Sequence, residues 1–590
     1  MSAFLPQRDP KRASRDTKLS SARKEYAYSY THISPLAILD RVPFKDEFSV
    51  TWLKQMAGRV MTALENRAEL ELDKAFSDVH MARHGLLSRL VDQVESAVER
   101  FIHGLKQMVS DVLRFDQRIG VGPLPAKALK DFAGLFRKIG LPPVAKDYQD
   151  DWAFARMRLA GPNPVMLRRL AARDERLPLT DADFKAAVPT DSLDAALAEG
   201  RLFLADYADL NGADPGDYPH GPKYVYAPLA LFVLDKTMKQ LRPVAIQCQQ
   251  RPGPDNPIFT PADGTNWLIA KTIVEIADGN VHEAATHLGR THLFMEPFVV
   301  TTYRQLAPNH PLAMLLGPHF EGTLAINEAS WRHLIANKGA VEKLFSVSIG
   351  SARKLAADSV QSARVTDVLL PKTLAARGVA DAAVLPNYPY RDDAMLYWAA
   401  IREWVSAYLR IYYPTPQDLA EDDELQAWGR ELASQGGGRL SGMPNDGTFR
   451  TDEELTAVVT LVIFTCSVQH AAVNFPQYDL MSYVPNMPLA SYRPAPKTKT
   501  GASEADYLAM MPPLDMAELQ AELGYLLGTL HYTQLGQYPE GRFTDPKVAA
   551  PLARFQQRLD EVGQTIAERN KTRRPYEFLV PSGVPQSINV

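Results

Sequence analysis

The chain has 590 residues, 46% of them hydrophobic and 23% charged, with a net charge of −4 at neutral pH. These are values of an ordinary globular protein, and the charge gives no broad basic footprint for nucleic acid. Two cysteines, Cys248 and Cys466, are too few for a disulfide framework or a thiolate zinc site.

Residues 1–40 read as an extended, basic lead-in. Seven Lys/Arg stand against two Asp in residues 1–24, with no apolar run behind them to make a secretory signal. A solvated tail outweighs an arm for anionic surfaces. Residues 41–120 read as N-terminal helices. From Leu86 to Leu113 apolar residues recur at three- and four-residue steps, one stripe on a long helix. Packing on a core is favoured over a lid across a substrate entrance, which would bring peripheral membrane contact. Residues 121–590 read as one large, mainly α domain with a few short β-strands. Residues 116–150 form a wrap-around connection. Segments 224–234 and 243–249 are short buried strands, Pro228 demoting the first to an edge or a break.

Helices dominate from Asp263. One spans 263–277. The next runs from Asn280 to about Glu296, where Pro297 kinks or ends it. Others cover 388–413 and 423–433, and 434–447, with three adjacent glycines, is the weakest-ordered linker. Thr451 with Glu454 three residues on is a capping box. It opens a helix to about Val473 that is apolar nearly all round, hence buried. The longest apolar runs, 224–234 and 457–466, are about half a bilayer span, so a soluble, cytoplasmic protein is expected.

Of 13 histidines, His282, His287 and His292 fall five apart, followed by His310 and His319. Five residues turn an α-helix about 140° past a full turn, which separates the side chains. A π-bulge between His287 and His292 would bring them onto one face, where two neutral imidazoles can bind a metal. Ordinary core or surface histidines are about as plausible from this stretch alone. The buried helix adds His470 and Asn474, four residues apart and so on one face. Taken alone, a pair satisfied by backbone carbonyls is the somewhat better reading, and the metal reading gains only from the two sets together. Three imidazoles and an amide oxygen suit non-haem iron or manganese rather than structural zinc. The apolar ending, 579–590, is unusual for a terminus. Burying it would let the terminal carboxylate of Val590 act as a ligand.

The series His282–x4–His287–x4–His292–x17–His310–x8–His319 resembles the signature of the lipoxygenase family. Further blocks are similar, among them Arg158-Leu159-Ala160-Gly161-Pro162-Asn163-Pro164 and His470-Ala471-Ala472-Val473-Asn474-Phe475. The resemblance covers about residues 30–590 and is closest to the shorter bacterial forms without an N-terminal β-barrel. It implies one non-haem iron held by His287, His292, His470, Asn474 and the carboxylate of Val590. Manganese is the alternative metal. His282 and Gln477 would lie just outside the ligands, and His310 and His319 would be structural. The family's last residue is most often Ile, and plant members carry a basic residue where Met487 stands.

The activity so implied is addition of molecular oxygen to a polyunsaturated fatty acid with a cis,cis-1,4-pentadiene, such as linoleate or arachidonate. The metal-bound hydroxide takes the hydrogen, so no protein base is needed. Ser330 stands at the position of stereocontrol and leans to an S product. Leu334, Val341, Leu344 and Phe345 would line the substrate tunnel, though core packing explains the last two nearly as well. The rival readings are a fatty-acid hydroperoxide isomerase at the same site and a non-catalytic lipid-binding protein.

Overall fold

The computed structural model describes residues 3–76 and 123–590. The apolar stripe between Leu86 and Leu113, and with it most of the expected lid, lies outside the described residues. The architecture is mainly helical, in agreement with the expected class. A small five-stranded antiparallel sheet flanks the helices, in the order Leu167–Arg169, Leu202–Asp206, Leu229–Leu234, Leu241–Gln247, Ile258–Phe259. Pro228 is the break before the third strand, which is central rather than an edge. Pro243 is accepted in the fourth strand beside an irregularity in its pairing, where a ladder donor is dispensable.

The lead-in departs from expectation. Residues Arg12–Glu25 form an α-helix, not an extended tail. It has few apolar residues to announce it, and it docks mainly through charge. Arg15 is buried, with Asp9 at 2.8 Å and a two-pronged contact to Glu424, while Arg12 reaches Asp423 at 2.6 Å. Arg12 and Arg15 are thus spent on the protein's own carboxylates. The helix Val50–Phe76 buries Trp52, Leu53, Met56 and Val60 and packs against Leu514–Gly528.

Two long helical runs cross the core. The first is continuous from Thr265 to Gln305: α-helix Thr265–Val281, π-helix His282–Leu293, α-helix Phe294–Gln305. Pro297 does not end it. A proline removes one helical donor, and just past a change of register that donor is expendable. The second run begins at the capping box, where Thr451 accepts from Glu454 N at 3.2 Å. It continues through Asp452–Phe464, π-helix Thr465–Gln469 and His470–Asn474, and after a short interruption π-helix Gln477–Met481. It is longer than expected, and 89% of its most apolar window is buried, which makes it a core helix despite membrane-spanning length.

The helix Ile349–Ser362 lies against the first run so closely that a Cβ at Gly289 would meet Ser359 Oγ at 2.0 Å. Residues 434–447 are not a loose linker. Gly438 N bonds Glu431 O and Leu440 N bonds Leu432 O, both at 2.9 Å, and Arg364 and Ser441 form a parallel bridge.

Candidate metal centre

His282, His287 and His292 all lie in the twelve-residue π-helix, so the expected local bulge is in fact a sustained one. Thr291 Oγ1 bonds Thr286 O, five residues back, at 2.9 Å and braces this wider register. Stepping five residues then returns to the same face, and the Nε2 atoms of His287 and His292 stand 3.2 Å apart. From the second run His470 joins them. One ring nitrogen from each of the three histidines lies within 4.8 Å of the others, all buried. Val590 completes the approach, with its main-chain oxygen 3.2 Å from His470 Nε2.

Burial pushes all three imidazoles below their usual range, His292 to about 3, and neighbouring imidazoles repel further charge. They are therefore neutral at pH 7 and each can offer a lone pair. Asn474, one turn past His470, is buried. Its Nδ2 donates to Leu527 O at 3.0 Å and its Oδ1 accepts from Gln477 Nε2 at 3.1 Å. The same Gln477 nitrogen stands 3.1 Å from His287 Nδ1, so Gln477 ties together side chains of both helical runs. His282 points elsewhere: its Nε2 reaches Val473 O at 2.9 Å and stitches the runs together.

The tail is held on many sides. Residues 584–590 are all buried. His319 Nδ1 donates to Gln586 O at 2.8 Å, Thr323 Oγ1 to Ile588 O at 2.9 Å and Trp52 Nε1 to Asn589 O at 2.8 Å. His310 serves structure, with Nε2 2.9 Å from Asp422 Oδ2.

A cavity beside the cluster is lined by His287, His292, Gln477 and Val590, and by Leu288, Ser330, Leu334, Val341 and Phe345. Leu344 is buried in the core but is not part of this lining. Ser330 and Leu334 belong to another short π-helix, Ser330–Leu334. All four π-helices among the described residues thus carry or adjoin the site, consistent with their functional bias.

Three supporting residues escaped the sequence reading. Asn327 Oδ1 accepts from His292 Nδ1 at 2.9 Å, and Asn327 Nδ2 donates to Glu296 Oε2 at 2.7 Å. Glu283 lies 3.4 Å from His282 Nδ1 and 3.6 Å from His287 Nδ1. Burial would raise Glu283, but the two imidazoles hold it well below its ordinary range. Only Glu283 had a signal, its i,i+4 spacing to His287.

Fold and site together define a mainly helical protein with a buried, nitrogen-rich cluster that can hold a transition-metal ion. A lipoxygenase family model matches residues 136–585. The linoleate 9/13-lipoxygenase of Pseudomonas aeruginosa is 36% identical, over 99% of this chain and 92% of that protein. The human hydroperoxide isomerase ALOXE3 is 36% identical, over 76% of this chain and 63% of its own length. A lipoxygenase crystallised with arachidonate superposes with a TM-score of 0.85 at 28% identity, covering all of this chain and 84% of that one. The chain belongs to the lipoxygenase family. It is an oxidoreductase of the dioxygenase class, which incorporates both atoms of oxygen into a polyunsaturated fatty acid to give a hydroperoxide.

Proposed function

We propose that the chain holds one non-haem iron through His287, His292, His470, Asn474 and the carboxylate of Val590, and oxygenates a free fatty acid of the linoleate or arachidonate type. The observation that carries this reading is the convergence of three buried neutral imidazoles and the chain's last residue. The donor set fits such an ion: nitrogen and oxygen without thiolate. Nδ1 of His292 is already committed to Asn327, which leaves Nε2 for a ligand bond. When bound, such an ion would supply one-electron oxidation chemistry for activating a bis-allylic carbon.

The protein's own part is orientation and exclusion of water. Asn327 fixes one imidazole and Gln477 links His287 to Asn474. Leu288, Leu334, Val341 and Phe345 offer an apolar wall to the alkyl chain. The cavity measures about 70 Å³, so these side chains must turn aside to admit a fatty acid. Ser330 lines the same cavity, which supports a part for it in where oxygen arrives. The burial of the long apolar helix supports its being a core helix rather than a membrane span; a cytoplasmic location goes with this reading as a proposal, which cell fractionation tests.

The test is His470→Ala, with metal analysis and oxygen uptake on linoleate. Loss of both bound iron and conjugated-diene formation is expected; wild-type turnover in the variant overturns the assignment. Metal analysis also separates iron from manganese. The likeness to ALOXE3 favours a second reading, isomerisation of a preformed hydroperoxide. Oxygen consumption with fresh linoleate excludes an isomerase acting alone.

A further inference from the structure

The π-helix has a second face. Glu283, Ala284, His287, Leu288 and His292 border the metal-side cavity, whereas Thr286, Arg290, Thr291 and Phe294 border another cavity behind it. This rear cavity measures about 310 Å³, within the range of ligand sites, ~300–1,000 Å³. Its floor is apolar: Phe294, Leu370, Leu461 and Phe464 are all buried. Its rim is charged, with Arg290, Arg377 and Asp367.

The rim charges are unevenly matched. Asp367 has an ion pair with Arg364 at 3.2 Å. Among the described residues Arg377 donates only to neutral oxygens, Leu167 O at 3.1 Å and Tyr388 OH at 3.2 Å. Arg290 is the one exposed residue of the π-helix and forms no hydrogen bond or ion pair among the described residues; Asp209 is near enough to be felt electrostatically but does not pair with it. An apolar slot with a spare guanidinium at its mouth matches a molecule with an acyl chain and one terminal anion.

We propose that this rear cavity is a second binding site for a long-chain carboxylate, with Arg290 at the head group and Phe294, Leu461 and Phe464 around the chain. The occupant is a free fatty acid, and the site is separate from the metal-side cavity, divided from it by the helix that carries His287 and His292. Thr465 and Gln469, just ahead of His470, also line it. A bound chain therefore touches both ligand-bearing runs from behind.

Stearate is the probe, because a saturated chain cannot be oxidised. Calorimetric titration of the metal-loaded enzyme should show two equivalents bound. Arg290→Glu should weaken one of them by about tenfold or more, from loss of a charged hydrogen bond. Thr373→Trp, which fills the cavity from the helix Leu370–Ala376, should abolish the same equivalent and leaves Arg290 in place as an independent check. Methyl stearate should occupy the rear site weakly or not at all. One equivalent in the wild type, two unchanged equivalents in both variants, or equal binding of the ester would each overturn the proposal.

Discussion

Replacing Asn327 by leucine tests whether His292 is held in place by groups outside the histidine series. Asn327 Oδ1 accepts from His292 Nδ1 at 2.9 Å, and Nδ2 donates to Glu296 Oε2 at 2.7 Å and reaches His292 O at 3.3 Å. Leucine is near in size, so the packing change is small. Two fully buried side-chain groups lose a partner, the imidazole N–H and the carboxyl of Glu296, and His292 O loses its longer contact. At about 1–3 kcal/mol each, the fold loses roughly 2–6 kcal/mol. The imidazole also loses the acceptor that sets its tautomer, which should cost about 10–100-fold in metal affinity. The two effects are read separately, by thermal unfolding of the metal-free protein and by metal retained against a competing chelator. Asn327→Asp keeps an acceptor for His292 but removes the donor to Glu296. It should therefore keep metal better than Asn327→Leu while still losing stability. A leucine variant with wild-type metal retention and an unchanged melting temperature would refute the reasoning.

Adding a few residues beyond Val590 should cost about a hundredfold or more in turnover, together with bound metal, because the buried tail has no room to extend and its carboxylate is lost; metal content and diene formation check this. Burial pushes His319 down to about 4 from 6.5. The unfolded chain takes up a proton there before the native state does. Its contribution is thus complete above pH 6.5 and declines by about 3 kcal/mol as pH falls toward 4. His319→Phe should remove that acid dependence in equilibrium unfolding while loosening the tail at Gln586. Glu296 has the opposite sign: burial raises it from 4.5 to about 7, so its contribution is present at low pH and is lost as pH rises through that window. Glu296→Gln should flatten that part of the stability profile. Ser330→Gly opens the cavity wall, and chiral analysis of the product should show the S share falling.

The helical class and the two ligand-bearing runs were legible because they rest on local pattern. The Thr451–Glu454 box and the continuous apolar residues that follow need no partner to be recognised. The helix Arg12–Glu25 was not legible, since its anchors are carboxylates about 400 residues away, Asp423 and Glu424. The same holds for Asn327 and Glu296. Each is an unremarkable polar residue on its own helix, and only the crossing of the two helices makes them partners.

The five-residue step shows where local reading stops and packing takes over. The spacing of His287 and His292 asks for a π-turn, but a π-helix is costly in isolation and ordinarily lasts a single turn. Here it lasts from His282 to Leu293, and the reasons are tertiary. Gly289 lets Ile349–Ser362 approach to contact, His282 anchors to Val473 O across the crossing, and Asn327 pulls His292 from a third helix. If those contacts sustain the wide register, Gly289→Ala should damage the site without touching a ligand. Its Cβ would lie 2.0 Å from Ser359 Oγ and 2.9 Å from Ala356 O, so Ser359 must rotate and the backbone must shift. Overpacking of this kind costs about 1–3 kcal/mol. Pairing it with Ser359→Ala relieves the closer clash and should recover part of the lost metal affinity. Equal losses with and without the second substitution would mean that helix contact is not what holds the register.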